Sequence, residues 1–528
     1  MASTSTSSLR SRRSAAQLHA LVAVEREIKA NDHNSRRKYL QDFSQAFRCY
    51  ESVLDSTEVQ QSIFEADIVL VGDYHALPAA QSFAASLLEQ RAVAGGCPLV
   101  LGVETVFARD QHILEEWFRG EIDEGELRER IRFELDWGYE WEPFYELLEK
   151  ARQHCAAIYG LDCMPREDLR KIAARDRHAT DKIAEIRQRH PDAAVMVLFG
   201  ESHLAPSHLP QLLQERLPRE RVLTILQNVD ALYWRAAGER VDKVEAVRVN
   251  EDVLCVFNAT PLEKYESYRL CLDQWSRCDS GPDFAPTIYN LIDSLASFLE
   301  INRYSPHNGT QPKFLIDMLP EVHGNSSDAV LSRLLSRKGI SEPQLETMLA
   351  SVEERGSAYL PQVNAFHIRE FQMVHAAEDA TRFLHHACRG LPQRLNGRGT
   401  NENGLVDDVG MVLTVDAFYT RVIEHAVAYF GSRVLYPARP AHEVKDLPAL
   451  SRAAIEKAAQ AAVRGDAGKL ESAAQDWGYR IGSQIYDGYL AGKVKPSGLR
   501  RLFLAHLDER GLARKVCTAV IAKLRSAS

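Results

Sequence analysis

The chain has 528 residues, of which 45% are hydrophobic and 26% are charged, an ordinary composition for a globular protein. A chain of this length exceeds what one hydrophobic core supports, so we expect two or three domains. The formal net charge is -9 and no long run of Lys and Arg occurs, which argues against nucleic-acid binding. No apolar run reaches the length of a membrane span, which argues against a membrane protein.

The cysteines and the N-terminus both indicate a cytoplasmic protein. The nine cysteines are scattered along the chain without a Cys-x-x-Cys pair, a pattern typical of reduced thiols. An apolar piece at 18–24 is cut off by Glu25, so it is too short and too polar for a secretory signal. We therefore expect residues 1–45 to form a tail followed by a helix.

Four apolar runs in the first half of the chain each end in ionisable residues. They are 68–71 before Gly72-Asp73-Tyr74-His75, 99–103 before Glu104, 156–161 before Asp162, and 195–199 before Gly200-Glu201-Ser202-His203. Continuous apolar runs predict parallel strands that are covered on both faces. Helical patterns such as 78–91, 109–119 and 209–216 separate them, and 244–257 indicates a closing hairpin. We therefore predict an α/β domain over 46–260, with a mostly parallel sheet flanked by helices.

Beyond this domain the pattern becomes mainly α-helical. Helices are predicted at 287–301, 344–354, 363–388, 416–430, 451–463 and 499–523. A stretch rich in Gly and Asn at 391–408 divides them, so we interpret 261–528 as one or two helical domains. Within the helix predicted at 363–388, His367, Glu378 and Arg382 share one face. This spacing favours a paired polar network or an interdomain seam over a metal site.

The strand endings predict a polar site. In open α/β sheets the ligand crevice lies at the carboxyl ends of the strands, which would bring His75, Glu104 and His203 to one edge. One such histidine is more often structural, but two histidines with a carboxylate favour function. A glutamate beside a histidine can act as a general base for water. Two histidines and a carboxylate can instead hold a divalent metal ion.

Four further residues are candidates for supporting or ligand-binding roles. Asp73 and Glu201 each precede a histidine by two residues, so they either orient the imidazoles or face solvent. Asp162 ends the third strand and is a further candidate for ligand binding. His208 is either a residue at the start of a helix or an additional supporting residue.

Two more features bear on ligand binding. The stretch 137–145 holds five aromatic residues, among which we single out Trp141; it can wall a flat apolar ligand or cover the sheet. Arg175 and Arg177 lie on the helix that follows Asp162, where an arginine can bind an anion. Of these two we favour Arg177 as a ligand-binding residue.

The order of these motifs resembles that of a known superfamily. The resemblance is carried by Gly72 to His75 with Pro78 and Gln81, Gly102-Val103-Glu104 with Gln111, Trp141 with Tyr145, Leu147, Leu148 and Ala151, and Gly200 to His203. Over about 60–230 this set is similar to the ChaN-type haem-binding-uptake proteins. Their superfamily also includes the TIKI and TraB proteins and the erythromycin esterases.

The resemblance implies a small-molecule partner of iron or haem type. Haem iron is held by Tyr or His, and Tyr74 beside His75 is the local candidate, with haem or a divalent metal ion as cofactor. The hydrolytic relatives imply a second function, an esterase or peptidase in which His75, Glu104 and His203 activate water. A third interpretation is a non-catalytic interaction protein. We expect no nucleic-acid or membrane partner, and the sequence is compatible with an oligomer.

Overall fold

The computed structural model of the protein describes residues 3–32, 38–164, 172–239, 244–276, 281–301, 319–324, 332–333, 335–336, 342–389, 413–437, 439, 447–505, 507 and 509–525. The chain divides into two compact units. One is Glu27–Leu272, the α/β unit; the other combines Met1–Arg26 with Asp273–Ser528 and is the helical unit. The division that we predicted at 391–408 lies outside the described residues.

The α/β unit alternates strands with helices through most of its length. Its strands are β1 (Ser52–Leu54), β2 (Ile68–Asp73), β3 (Leu99–Phe107), β4 (Ala157–Asp162), β5 (Ala194–Gly200), β6 (Val222–Gln227), β7 (Ala246–Asn250) and β8 (Val253–Val256). Its helices are α2 (Lys38–Ala46), α3 (Ser56–Phe64), α4 (Pro78–Ala94), α5 (Gln111–Phe118), α6 (Glu124–Arg130), α7 (Phe133–Asp136), α8 (Trp141–His154), α9 (Ile172–Arg189), α10 (Leu209–Arg216), α11 (Asp230–Glu239) and α12 (Pro261–Ser276). The last residues of α1 (Ser3–Asn31), from Glu27 on, also belong to this unit, whereas the rest of α1 belongs to the helical unit. Helices α1 and α12 continue past the ends of this unit.

The strands form one eight-stranded sheet in the order β1-β7-β8-β6-β2-β5-β3-β4. Strand β5 pairs in parallel with both β2 and β3, while β7 pairs antiparallel with β1 and β8. Alternate residues of β2 enter two different cores, with Ile68 and Leu70 on one face and Val69 and Val71 on the other. The predicted mostly parallel sheet, covered on both faces, is confirmed.

Local sequence signals explain several element boundaries. Helix α10 has the predicted bounds and carries proline near its start, where the missing N–H has no helical partner. The predicted helix at 109–119 begins at Gln111, because Ala108–Asp110 is a 3-10 turn. The predicted hairpin at 244–257 is the antiparallel pair β7 and β8. The N-terminal segment that we expected as a tail is helical from Ser3.

The helical unit is mainly α-helical, as predicted, and also contains a small sheet. Its helices are α13 (Ala285–Phe298), α14 (Glu342–Arg355), α15 (Met373–Arg389), α16 (Val415–Leu435), α17 (Arg452–Ala462), α18 (Ala467–Leu490), α19 (Pro496–Phe503) and α20 (Leu512–Arg525). Strands β9 (Glu321–Gly324), β10 (Ser357–Leu360) and β11 (Ala365–Ile368) form the sheet. None of the described helices is both long and apolar enough to cross a bilayer.

Two predicted helices of this unit differ from the observed ones. The helix predicted over 363–388 begins only at Met373, because 365–368 is a strand that pairs with β10 through a turn with Asn364 at φ 48°. The helix predicted over 499–523 is interrupted between α19 and α20. Gly511 has φ +74° just before α20, a left-handed conformation that a helix cannot contain.

Helices α16 and α18 pack with their backbones close together. A Cβ atom on Gly478 would lie 2.8 Å from the carbonyl oxygen of Val422, and one on Gly482 would lie 2.5 Å from that of Ala426. Gly478 and Gly482 are one turn apart on the same face of α18. Glycine at both positions is therefore what permits this approach.

A buried ion network lies beside this helix pair. The Glu378 carboxylate is fully buried and pairs with Arg355 and Arg382 at 3.3 Å and with Arg439 at 2.9 Å. The Tyr479 hydroxyl donates a hydrogen bond of 2.6 Å to the same carboxylate. Burial raises the pKa of Glu378, but the three guanidinium groups outweigh it, so the pKa lies well below its usual range.

Candidate functional site

The ends of four neighbouring strands meet at one edge of the sheet. Strand β2 ends at Asp73, β3 carries Glu104, β4 ends at Asp162 and β5 ends at Gly200. These strands are parallel and adjacent in the order β2-β5-β3-β4, so their carboxyl ends share one edge. A 3-10 turn, Glu201–Leu204, follows β5 and carries the second histidine.

The Glu104 carboxylate is the centre of the cluster and is buried. Its Oε1 accepts a hydrogen bond of 2.5 Å from Arg175 Nη2, and its Oε2 accepts one of 2.5 Å from the Gly200 backbone N–H. The Nε2 atoms of His75 and His203 lie 4.0 Å and 3.7 Å from its oxygens. Both imidazoles therefore approach one carboxylate.

Each imidazole is held from behind by an aspartate. His75 Nδ1 lies 2.8 Å from Asp73 Oδ2, and His203 Nδ1 contacts Asp176 Oδ1. An ionised carboxylate only accepts hydrogen bonds, so the proton is assigned to Nδ1 in both rings. This orients both Nε2 atoms toward Glu104, as a carboxylate does for a histidine that binds metal.

Arg175 links two carboxylates of the cluster. Its Nε and Nη2 donate to Asp162 at 2.7 Å and 2.9 Å, while Nη2 also donates to Glu104. This fork matches carboxylate geometry. Burial raises the pKa of Glu104, but the positive charges of Arg175 and of the protonated forms of His203 and His75 outweigh it, so the pKa lies well below its usual range. Glu104 is therefore a buried anion.

Gly200 is required by this close packing. A Cβ atom at this position would lie 3.0 Å from Glu104 Oε2 and 3.2 Å from His75 Nε2. Any side chain here would displace one of the two groups or the strand end. The glycine thus lets a backbone N–H reach the buried carboxylate.

Aromatic rings cover the exposed side of His75, whose side chain is 24% exposed. Its ring lies 4.3 Å from that of Trp137 and 5.4 Å from that of Tyr139, measured between centroids. Trp141, which we had singled out, is buried in the core and donates to Glu124 at 2.7 Å. Because Trp141 faces the core, Trp137 and Tyr139 are the aromatic residues of this stretch that contact the cluster.

The arginine that faces the cluster is Arg175 rather than Arg177. Arg177 is exposed on α9, since residues two positions apart on a helix point in different directions. Asp176, which sequence reasoning missed, turns inward beside Arg175 and is also buried. The only signal was the position of both residues between the apolar residues Ile172 and Ala179.

The remaining predicted residues lie around the cluster with partners of their own. The Glu201 carboxylate pairs with Lys264 at 2.9 Å, so it does not orient His203. The Lys264 ammonium also lies 4.7 Å from the centre of the Tyr74 ring. Burial, with Tyr265 and Glu201, raises the pKa of Tyr74 well above its usual value.

His208 precedes helix α10 and contacts protein groups on both sides of its ring. Its Nδ1 lies 3.2 Å from the Ser202 carbonyl oxygen, and its Nε2 lies 3.7 Å from an Asp42 carboxylate oxygen. The side chain is 10% exposed. Through these contacts His208 connects the turn after β5 to helix α2, which favours a structural role for this residue.

The metal site predicted at His75, Glu104 and His203 finds no support. Within the parts of the chain that the structure describes, no group of three or more His, Cys, Asp or Glu residues has the arrangement of a metal site. The physical reason is that both oxygens of Glu104 already accept short hydrogen bonds, from Arg175 and Gly200. A cation would have to displace these donors.

Comparison with known proteins agrees with the resemblance. Residues 59–195 match the family described as "Haem-binding uptake, Tiki superfamily, ChaN". A solved structure of cofacial haem binding to ChaN of Campylobacter jejuni is 13% identical and covers 33% of this chain and 86% of that chain, with a TM-score of 0.25. No curated protein matches the chain. Residues 59–195, within the α/β unit, are thus similar to the haem-binding-uptake ChaN family of the Tiki superfamily.

Proposed function

We propose that the α/β unit binds a haem-type ligand at the carboxyl edge of its sheet, with His75 as the residue that holds the iron. The family of residues 59–195 supports the ligand class. The observation that carries the assignment is the setting of His75, which is partly exposed, held at Nδ1 by Asp73 and flanked by two aromatic rings.

This setting suits an axial ligand of haem. Histidines that bind metal usually donate their other N–H to a carboxylate or carbonyl group, as His75 does toward Asp73. The rings of Trp137 and Tyr139 offer apolar surface to a flat macrocycle. A bound haem supplies an iron that accepts an imidazole nitrogen.

Tyr74, the other candidate ligand, is less suited to hold iron. A tyrosine binds haem iron best as a phenolate, and burial raises the pKa of Tyr74, which keeps its phenol protonated. The Lys264 ammonium lies over the Tyr74 ring and so occupies that face of the ring. We therefore place Tyr74 beside the ligand and assign the iron to His75.

Hemin titration of the full chain tests this proposal. The wild type should shift the Soret band at one hemin per chain, and His75→Ala should abolish the shift. Asp73→Asn should weaken binding by roughly 10–100-fold, because it removes the negative charge behind the imidazole and leaves one acceptor oxygen for the two side chains that now use both, His75 and Gln81. Tyr74→Phe and His208→Ala should bind like the wild type. An unshifted wild-type spectrum, or a His75→Ala variant that binds normally, would refute the assignment.

A second function, hydrolysis, is favoured by one further observation. Two Asp–His pairs direct their Nε2 atoms at a single buried carboxylate, and an aspartate-oriented histidine is a general base that can activate water. The nearby Arg175 guanidinium supplies positive charge that can stabilise a developing anion. The substrates that fit this chemistry are esters, lactones and peptides.

Turnover of such substrates tests the hydrolytic function. A panel of esters, lactones and peptides should reveal one that the wild type cleaves, with turnover lowered by about 10²–10⁴-fold in His75→Ala and His203→Ala. Glu104→Gln should also lose turnover; it removes the buried charge that pairs with Arg175 and so lowers the melting temperature as well, and its turnover is therefore measured at a temperature at which circular dichroism shows the variant folded. Full activity in all three variants, or a panel without a substrate, would reject hydrolysis and leave the haem test unaffected.

A further inference from the structure

The helical unit contains a groove that the proposed function does not use. It has a volume of about 570 Å³ and lies among α18, α19 and α20. Six aliphatic side chains line it: Ile485, Val494, Leu499, Leu502, Val520 and Leu524. A cavity of roughly 300–1,000 Å³ with an apolar lining is typical of a small-molecule site.

The charged side chains that line the groove are all basic. They include Lys493, Lys495, Arg501 and Lys523, and none of the described lining residues is acidic. The surrounding sequence is biased in the same way, since residues 491–528 contain nine Lys and Arg against two acidic residues in a chain of net charge -9. A concave apolar surface with cations of one sign concentrates an anionic ligand.

One residue that lines the groove is a glycine with free space beside its Cα atom. Gly498, in the first turn of α19, lines the groove, and a Cβ atom built on it meets nothing within 4 Å. Leu499 and Leu502 beside it are buried, at 2% and 8% exposure, so the floor is formed by fixed core side chains. The empty space is therefore part of the fold.

We propose that this groove binds a single-chain anionic lipid of the long-chain fatty-acid class. The aliphatic tail would lie against the six apolar side chains, and the carboxylate would lie among the lysines and Arg501. Haem fits less well, because no His, Tyr, Cys or Met is among the described lining residues to hold iron. A nucleotide fits less well because none of these residues is aromatic and could stack on a base.

Palmitate binding to the full chain tests the charge requirement. Isothermal titration should give saturable binding of one palmitate per chain, at concentrations below micelle formation. The double variant K495E/R501E should weaken binding at least tenfold, because it replaces attraction of the carboxylate by repulsion. The double variant R452E/K457E makes the same two charge reversals at exposed residues of α17 outside the groove lining and should bind like the wild type.

A second pair of variants tests the space itself. Gly498→Leu should fill the groove and weaken palmitate binding at least tenfold, without unfolding the helix because leucine is the better helix former. Gly238→Leu is the matched control, since a Cβ there also meets nothing within 4 Å and the residue lies on α11. It should leave binding unchanged.

Three outcomes would overturn the proposal. Absence of saturable palmitate binding by the wild type would show that the protein does not bind this lipid. Equal losses of palmitate affinity in the groove variants and in their controls would show that the lipid does not bind in this groove. If one equivalent of hemin displaces palmitate from the wild type but not from His75→Ala, the lipid binds to the α/β unit instead. Weaker binding of hexadecanol than of palmitate supports the proposal, because only the charge differs.

Discussion

Replacing Arg175 with methionine is expected to lower the free energy of unfolding of the α/β unit by about 3–5 kcal/mol. The variant keeps an unbranched side chain of similar length but removes the guanidinium that bridges Glu104 and Asp162. Both carboxylates are buried, so they would be left without their cation in a medium of low dielectric constant. Urea denaturation followed by circular dichroism measures the change.

The neighbouring arginine provides a matched control. Arg177→Met removes the same group from an exposed position of the same helix, and we expect a change within about 0.5 kcal/mol. Arg175→Lys should fall between the two, because it keeps the charge and loses the fork. Hydrogen exchange of peptides from β2 and β3 assigns the transition to the α/β unit. Equal stability of Arg175→Met and Arg177→Met would contradict the geometry of the cluster.

Replacing Glu378 with glutamine is expected to have a comparable effect on the helical unit, about 3–5 kcal/mol. The amide keeps the shape of the side chain and removes the negative charge that pairs with Arg355, Arg382 and Arg439. Arg355 would keep the Asp379 carboxylate at 3.5 Å, whereas Arg382 and Arg439 would lose the carboxylate of Glu378. Their mutual repulsion inside the unit is the physical cause of the loss.

The control for this variant lies on the exposed surface of α14. Glu353→Gln makes the same change at an exposed position and should alter stability by less than about 0.5 kcal/mol. Hydrogen exchange should show faster opening of α15 and α16 in Glu378→Gln, with the sheet of the α/β unit unaffected. Wild-type protection of these helices in Glu378→Gln would show that the three arginines do not depend on this carboxylate.

Much of the fold follows from patterns within single elements. The continuous apolar runs that predict β2, β3 and β5 each end in ionisable residues and are separated by helical patterns, and this context, rather than their length, favours strands. The small sheet of the helical unit was missed because β10 and β11 have four residues each. A strand of four residues that is followed closely by a helix is easily assigned to that helix, because hydrophobic periodicity can be judged only over a longer stretch of sequence.

Part of the candidate site can likewise be predicted from the sequence, and part cannot. The meeting of His75, Glu104 and His203 follows from strand order, because parallel strands end at one edge. The choice of Arg175 over Arg177 depends on the rotation of α9 against the sheet, which is a tertiary property. Asp176 could not be assigned for the same reason. Trp141 was misplaced because an aromatic stretch does not reveal which of its rings face the core.

The position of β5 in the sheet has a consequence for biosynthesis. Strands β2 and β3 are not hydrogen-bonded to each other; β5 lies between them and joins them. Domains fold from the N-terminus as the ribosome releases them, so β2 and β3 emerge well before the strand that unites them. A nascent chain that ended at residue 195 would lack the Gly200 amide and the second imidazole, and the strands that bring His75 and Glu104 to the site would not yet be joined.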